Sequence, residues 1–201
     1  MSERLTLTPL PLPGLVRIER HARRDSRGFL ERMFCAADLE GVLPNGEQIV
    51  QINRTRTRRP GTVRGLHFQR PPHAEMKIVS CLRGEVFDVA VDVRPDSPTF
   101  LRWHAELLSE ANAMSLVIPA GFAHGFQTLA ADSELLYFHS AAWHPPAEDG
   151  LHPCDPALAI AWPRGVAELS CRDRQCRHLA DRDLPSLFAA LSGSPLCLEA
   201  A

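Results

Sequence analysis

The sequence has little net charge and no long apolar run. Its 22 Lys and Arg residues against 24 Asp and Glu residues give a formal net charge of −2. A protein that coats nucleic acid or an anionic membrane carries a basic excess. No apolar run approaches the ~18 residues that a membrane helix needs. We therefore expect neither a nucleic-acid partner nor a membrane partner.

The sequence also lacks a targeting pattern and paired cysteines. Its start has no basic stretch followed by an apolar run, so we expect no secretion signal and a cytoplasmic location. The six cysteines include no Cys-x-x-Cys pair, which excludes a zinc ribbon and a thioredoxin-like redox motif. In such a chain, reduced thiols are expected.

Lysine and tyrosine are almost absent. Lys77 is the only lysine among the 22 basic residues, and Tyr137 is the only tyrosine beside 9 phenylalanines. An arginine is bulkier and flatter than an ammonium and does not lose its proton. A phenylalanine has no hydroxyl that could exchange a proton. Composition drift can leave such single residues by chance, but both positions are candidates for a function that Arg and Phe cannot perform.

What is present is typical of an all-β fold. The 17 prolines and 12 glycines divide the 201 residues into short segments, which disfavours long helices. Between them, polar and apolar residues alternate with the period of a strand. We predict one domain over 1–201, a β-sandwich or jelly roll. Its predicted strands include Lys77–Leu82, Glu85–Val93, Phe100–Leu107, Ser115–Ile118 and Leu135–His139.

Only the C-terminus has a helical pattern. Apolar residues recur there at i, i+3, i+4 and i+7, at Leu184, Leu187, Phe188 and Leu191. Asp183 stands where an N-cap is expected. We predict a short C-terminal helix within a helical tail over 176–201.

Two histidines follow glycine-containing turns and lead into predicted strands. His67 lies in Arg64-Gly-Leu-His-Phe-Gln69, and His124 lies in Pro119-Ala-Gly-Phe-Ala-His124. A side chain at such a place can point into the mouth of a small β-barrel, where ligands bind. A single histidine in an apolar context is more often structural, so the motifs alone leave both roles open.

Gln69 argues against a metal centre. Metal-binding jelly rolls of the cupin type carry a His-x-His pair, whereas this sequence has His67-Phe-Gln69. An amide is a poor ligand for a transition metal. We therefore predict no metal and no cofactor. A metal-dependent cupin oxygenase is the alternative that bound iron would support.

The remaining candidates suit proton transfer at a carbon beside a carbonyl group. An imidazole such as His67 can remove the proton, a cation such as Lys77 stabilises the enolate, and a phenol such as Tyr137 can return a proton on the other face. The sequence has no Gly-x-Ser-x-Gly elbow, no dinucleotide-binding glycine pattern and no phosphate-binding Gly-Lys-Ser/Thr loop. Hydrolase, nicotinamide and ATP chemistry thus lack their usual marks.

Several motifs occur in a fixed order over roughly residues 8–175. They are Asp25-Ser-Arg-Gly-Phe29, Gln51-Ile-Asn53, Arg64-Gly-Leu-His-Phe-Gln69, Gly84-Glu-Val-Phe-Asp-Val-Ala-Val-Asp92, Ser97-Pro-Thr-Phe100 and Ile118-Pro-Ala-Gly-Phe-Ala-His-Gly-Phe126. Together they resemble the dTDP-4-dehydrorhamnose 3,5-epimerase family. The resemblance implies a cupin-type jelly roll (a double-stranded β-helix), a homodimer without metal, and a dTDP-linked 4-keto-6-deoxyhexose as substrate.

The resemblance also implies roles for individual residues. His67 falls on the family's base and Asp173 on the carboxylate that orients it, while Tyr137 falls on the acid and Lys77 on the lysine at the ketone oxygen. The implied substrate-binding residues are Arg27, Phe29, Gln51, Asn53, Arg64, His124, Trp143 and Arg172. Family members often carry Tyr or Phe where this chain has Trp143.

The implied reaction is epimerisation of dTDP-4-dehydro-6-deoxy-D-glucose at C3 and C5, giving dTDP-4-dehydro-L-rhamnose. A 3- or 5-monoepimerase of a related nucleotide-linked sugar shares nearly the same motifs and is the close alternative. A sugar-nucleotide-binding module without activity is a further alternative. The joint presence of a candidate base and a candidate acid argues against it, because binding alone needs neither.

Overall fold

The computed structural model describes residues 4–43 and 48–189. Within these ranges the chain forms strands, one short α-helix and four 3₁₀ turns. The strands are β1 (Leu5–Pro9), β2 (Val16–Arg20), β3 (Arg23–Asp25), β4 (Gly28–Leu30), β5 (Gln51–Thr57), β6 (Val63–Gln69), β7 (Lys77–Arg83), β8 (Glu85–Asp92), β9 (Trp103–Ser109), β10 (Met114–Ile118), β11 (Phe122–Thr128), β12 (Ser133–His139) and β13 (Glu148–Gly150). The helix is α1 (Cys171–Gln175), and the 3₁₀ turns are Ala37–Leu39, Pro145–Ala147, Leu179–Asp181 and Leu184–Ser186.

Two antiparallel sheets pack face to face. The six-stranded sheet has the order β1-β2-β10-β7-β12-β5, and the five-stranded sheet has the order β13-β6-β11-β8-β9. The strands β3 and β4 form a separate hairpin. This is the predicted all-β jelly roll, which is confirmed. No helix in the described part of the chain is long and apolar enough to span a membrane.

The strands predicted from alternation are present as β7, β8, β9, β10 and β12. The largest difference is at β9, which begins at Trp103 and not at Phe100. Phe100 N donates to Ser97 O at 3.1 Å, and Leu101 has a φ of 60°. The chain therefore turns through this segment before it becomes extended.

Each sheet has a buried layer on both of its faces. Between the sheets pack Val79, Ala90, Leu116, Phe126 and other residues of both sheets. The outer face of the five-stranded sheet, which includes Val89 and Val91, is covered by the segment 151–188. The outer face of the six-stranded sheet, which includes Ile78, is covered by the segment 33–43 and by Ile49.

The two-sided burial changes the interpretation of β8. In the sequence of this strand, the more apolar side is made of Phe87, Val89, Val91 and Val93. The structure places this side under the covering segment, and it turns the opposite side, with Asp88 and Ala90, toward the interior between the sheets. Asp88 is fully buried. The polar side of this strand therefore faces the interior between the sheets and not solvent.

The predicted C-terminal helix is wrong for the described residues up to 189. The segment forms 3₁₀ turns at Leu179–Asp181 and Leu184–Ser186, and the Asp183 side chain makes no capping hydrogen bond. The apolar residues Leu184, Leu187 and Phe188 pack against the outer face of the five-stranded sheet. Separate apolar side chains along an irregular segment are sufficient for this packing, so no continuous helix is needed. Leu191 and the rest of the predicted tail lie outside the described residues.

We expect Gly65→Ala to destabilise the fold strongly. Gly65 has a φ of +120°, and a Cβ there would lie 2.5 Å from Gly125 Cα and 2.7 Å from His124 O. Backbone strain and overpacking together predict a loss of about 2–4 kcal/mol in the free energy of unfolding, measured by urea denaturation. Gly165→Ala is the matched control, because nothing lies within 4 Å of its Cβ position. Its effect should stay within about 0.5 kcal/mol, and equal losses in both variants would contradict the prediction.

Candidate active site

A cavity of about 1270 Å³ lies between the two sheets. It is lined by side chains of β5, β6, β7, β11 and β12, by the loop after β12, and by the segment that leads into α1. All the predicted site residues except Arg27 and Phe29 line it: Gln51, Asn53, Arg64, His67, Lys77, His124, Tyr137, Trp143, Arg172 and Asp173. The tertiary structure thus brings together residues from both halves of the chain.

The candidate base is a histidine held by a buried carboxylate. His67 on β6 has its Nε2 atom 2.7 Å from Asp173 Oδ1, with side-chain exposures of 29% and 3%. Asp173 lies in α1, where Ser170 is the N-cap and its hydroxyl accepts from Asp173 N at 3.0 Å. The Ser-x-x-Asp spacing at 170–173 is a capping signal, so this helix start was visible in the sequence although it was not predicted.

The charge of Asp173 determines which nitrogen of His67 is basic. Burial acts to raise the pKa of the Asp173 carboxyl, but hydrogen bonds with His67, Ser170 and Gly65 outweigh burial and lower the pKa below its usual value. An ionised carboxylate only accepts hydrogen bonds, so Nε2 of His67 donates. The lone pair of the neutral ring is therefore on Nδ1, which is the nitrogen that can take up a proton.

The candidate acid is a buried phenol. Tyr137 on β12 is 8% exposed and lies in register between Asn53 on β5 and Val79 on β7. Burial, followed by the nearby charge of Asp88, raises the pKa of Tyr137 well above its usual value. The phenol therefore keeps its proton throughout the neutral pH range, as a proton donor must.

Lys77 has a carboxylate partner that the sequence analysis missed. Its Nζ atom lies 2.9 Å from Glu75 Oε1 and donates to the His67 carbonyl oxygen at 3.3 Å. Both side chains are less than a tenth exposed. A buried charge needs such a partner. If Lys77 is buried, an acidic residue must lie near it, and this was the only indication in the sequence for Glu75, two residues before Lys77.

Both the nitrogen and the oxygen of the Gln69 side-chain amide form hydrogen bonds with other groups of the protein. Its Nε2 atom donates to Glu75 Oε2 at 3.0 Å, and its Oε1 atom accepts from His144 N at 2.6 Å. Within residues 4–43 and 48–189, no group of three or more His, Cys, Asp or Glu side chains is arranged to hold a metal ion. The predicted absence of a metal stays a prediction.

His124 forms a second histidine–carboxylate pair in the cavity wall. Its Nε2 atom lies 2.9 Å from Asp88 Oδ2, and both side chains are buried. Asp88 was missed because the alternation of β8 indicated that its side was the less apolar one. The hydrogen bond with Asp88 fixes the His124 ring beside Tyr137. The centroids of the His124 and Tyr137 rings are 6.0 Å apart.

The ring of Trp143 and the ion pair of Arg172 with Glu148 line the cavity near His67. Trp143 N donates to Gln51 Oε1 at 3.0 Å, and Trp143 Nε1 donates to Glu148 Oε2 at 3.0 Å. Arg172 donates to both carboxylate oxygens of Glu148, at 2.8 and 2.9 Å. Burial opposes ionisation of Glu148, but the hydrogen bonds with Arg172 and Trp143 lower its pKa. No local pattern indicated Glu148, because its partners lie elsewhere in the chain.

Arg64 and the adjoining loop supply positive charge to the same cavity. Arg64 Nε donates to Thr57 Oγ1 at 2.9 Å, and Arg58 and Arg59 line the cavity next to it. Guanidinium groups match the paired oxygens of phosphates. This part of the wall therefore suits an anionic portion of a ligand.

Arg27 and Phe29 do not reach the cavity of their own chain. They lie on the β3–β4 hairpin, where Phe29 is 63% exposed. Arg27 Nη2 lies 2.5 Å from Asp25 Oδ2. The Arg24 guanidinium carbon lies 5.2 Å from the centre of the Phe29 ring. A single chain therefore does not bring these two predicted residues into the cavity.

The single tyrosine allows a direct test of the buried phenol. Ultraviolet absorbance of tyrosinate should show Tyr137 ionising well above the ordinary pKa of about 10 in the folded protein, and near that value in concentrated guanidinium chloride. The raised pKa stabilises the fold fully below the unfolded-state pKa, and this contribution is lost as the pH rises toward the folded-state pKa. Ionisation of the folded protein near its ordinary value would contradict the burial effect.

The chain is similar to known proteins over most of its length. The family model described as dTDP-4-dehydrorhamnose 3,5-epimerase matches residues 9–181. The dTDP-4-dehydrorhamnose 3,5-epimerase of Streptomyces griseus is 38% identical over 183 residues, 90% of each chain. The dTDP-4-dehydrorhamnose 3-epimerase of Streptomyces niveus is 35% identical over 177 residues, 88% of this chain and 85% of that protein.

A solved structure is equally similar. The dTDP-6-deoxy-D-glucose-3,5-epimerase of Legionella pneumophila, crystallised in complex with dTDP-4-keto-L-rhamnose, superposes with a TM-score of 0.86 and 38% identity. The match covers 94% of this chain and 100% of that chain. The resemblance inferred from the motifs is confirmed: the chain belongs to the dTDP-4-dehydrorhamnose 3,5-epimerase family.

Proposed function

We propose that this protein epimerises dTDP-4-dehydro-6-deoxy-D-glucose at C3 and C5 to give dTDP-4-dehydro-L-rhamnose. The observation that carries the proposal is the presence, in one cavity, of a carboxylate-oriented base and a protonated phenol. The cavity exceeds the ~300–1,000 Å³ of ordinary ligand pockets. Such a size suits a ligand made of a nucleoside, a diphosphate and a hexose.

The proposed reaction begins at His67. Its Nδ1 atom takes a proton from the carbon next to the C4 ketone, and negative charge develops on the ketone oxygen. The buried ammonium of Lys77 stabilises this enolate as it forms. Tyr137 then gives its proton to the same carbon from the opposite face, which inverts the centre.

The same two groups must be reset before a second centre reacts. After one inversion His67 carries an extra proton and Tyr137 has become a phenolate. His67 is 29% exposed, so it can release its proton to solvent. Burial strongly disfavours the phenolate, so Tyr137 takes up a proton again, and C5 can follow C3.

The other predicted residues suit the nucleotide part of the substrate. Arg64 and Arg172 supply guanidinium groups for the diphosphate. Trp143, 58% exposed, presents a ring against which the sugar can pack. Gln51 and Asn53, on the edge strand β5, supply amides for the sugar and the base.

A 3-monoepimerase is the second candidate function. The relative from Streptomyces niveus is named a 3-epimerase and is nearly as similar to this chain as the 3,5-epimerases. Both activities need the same base and acid. They differ in whether the sugar turns over within the cavity, which the large ring of Trp143 can influence.

The proposal includes action without a metal or cofactor in a reducing cytoplasm. Both ends of the Gln69 amide are used by protein partners, which argues against an oxygenase-type metal site there. Cys35, Cys81, Cys154, Cys171 and Cys176 are free thiols, as is usual in reducing compartments.

The proposal also includes a homodimer in which the β3–β4 hairpin serves the partner subunit. Phe29 and Leu30 are 63% and 66% exposed, and a second copy of the chain would bury them. Arg27 and Phe29 line no part of their own cavity. In a symmetric dimer their substrate contacts would be made in the cavity of the other subunit.

Proton exchange tests the reaction. In heavy water with dTDP-4-dehydro-6-deoxy-D-glucose, NMR should show deuterium entering at both C3 and C5, and His67→Ala should abolish it. Tyr137→Phe should bind dTDP normally but lose about 100-fold or more in kcat, as expected for loss of a general acid. Label at one carbon alone would establish the monoepimerase. Label at neither carbon would overturn the proposal.

Complementation tests the homodimer. Arg27→Ala and His67→Ala chains, co-expressed with different tags, should each be impaired alone. Together they should recover about a quarter of wild-type activity, because half of the dimers are mixed and each holds one intact cavity. Absence of recovery in isolated mixed dimers, or a monomeric protein in solution, would show that the hairpin does not serve a partner.

A further inference from the structure

The cavity contains an imidazole that the proton transfer described above does not use. His139 lies two residues after Tyr137 on β12, so both side chains are on the same face of the strand. It is in register with Lys77 on β7 and with Gln51 on β5. It lines the cavity with them.

The Tyr137 ring lies between two histidine rings. The His139 ring is stacked on it, with centroids 6.0 Å apart and 17° between the planes. The His124 ring meets it edge-on, at 6.0 Å and 69°. Aromatic pairs favour both arrangements. The phenol is therefore held from two directions, and its orientation depends on both neighbours.

Each of the two histidines has its own anchor. His124 is held by Asp88, and His139 Nε2 lies 3.4 Å from Asn53 Nδ2. The amide nitrogen of Asn53 is a donor, so Nε2 of His139 accepts. Burial, and then the charge of Lys77, lowers the pKa of His139 to about 4. The stacked ring is thus neutral at pH 7 and adds no second cation beside Lys77.

We propose that His139 is a positioning residue for the acid: its stacked ring holds the Tyr137 phenol in the orientation that returns a proton to the substrate. This inference rests on the proposed function. Removing the ring would leave space beside Tyr137 and let the phenol turn. A small misplacement of a catalytic group is enough to slow a reaction greatly.

The proposal predicts that His139 variants separate two events. His67 can remove a proton, exchange it with solvent and return deuterium to the same face, without any acid. Formation of the inverted product also needs Tyr137. In heavy water, His139→Ala should lower product formation about tenfold or more, while deuterium entry into recovered substrate stays within about twofold of wild type.

Two further variants define the cause. His139→Phe keeps a stacked ring and should keep both rates near wild type. His139→Leu fills the space without a ring, and it should separate exchange from product formation as alanine does, even if the alanine variant fails to fold. His104→Ala is the matched control, because His104 pairs with Glu106 outside the cavity lining. It should change neither rate.

The outcomes distinguish this inference from the proposed function. Neither exchange nor product with the wild-type protein would reject the proposed function itself. Normal wild-type activity with parallel losses of exchange and product in folded His139→Leu would overturn only the positioning role. Unchanged product formation in that variant, or a His139→Phe variant as impaired as His139→Leu, would also overturn it.

Discussion

The hydrogen bond between His67 and Asp173 is the contact on which the whole site depends. It joins a strand of the five-stranded sheet to a segment 106 residues later. The same segment is tied to β6 by Val63 N, which donates to Glu168 O at 3.0 Å, and by Gly65 N, which donates to Asp173 Oδ2 at 3.4 Å. The C-terminal part of the chain must therefore close over the jelly roll before the base acquires its orienting carboxylate. Folding and the orientation of the His67 ring are coupled through this closure.

Burial acts differently on the paired and the unpaired groups of the cavity. Lys77 and Glu75, His124 and Asp88, and Arg172 and Glu148 are paired with an opposite charge or a carboxylate. Pairing compensates the cost of removing these groups from water. Tyr137 and His139 form no such pair with any residue that the structure describes, and burial keeps both neutral. The cavity thus combines fixed charges, which can stabilise an enolate, with a neutral phenol that keeps its proton.

The layered packing explains why these groups are held so firmly. Successive residues of the central strands enter different apolar clusters, so that Val79 and Ile78, or Ala90 and Val89, are buried on opposite sides of their sheet. A strand that is packed on both faces cannot turn or slide without disrupting the packing of its side chains. The covering segments 33–43 and 151–188 therefore contribute to the site although few of their residues line the cavity. A site on rigid strands keeps catalytic geometry better than a site on loops.

Local pattern determined much of this protein. Alternation indicated the central strands, the order of short motifs indicated the family, and the scarcity of lysine and tyrosine pointed to Lys77 and Tyr137. The tertiary structure alone decided that Asp88 faces the interior, that Glu75 and Glu148 complete the cavity, that His139 stacks on the acid, and that Arg27 and Phe29 lie outside their own cavity. The physical reason is the distance along the chain over which each effect acts. Side-chain alternation and turn residues act over a few neighbours, whereas partners in the site are chosen by which strands and covering segments become adjacent in the folded chain.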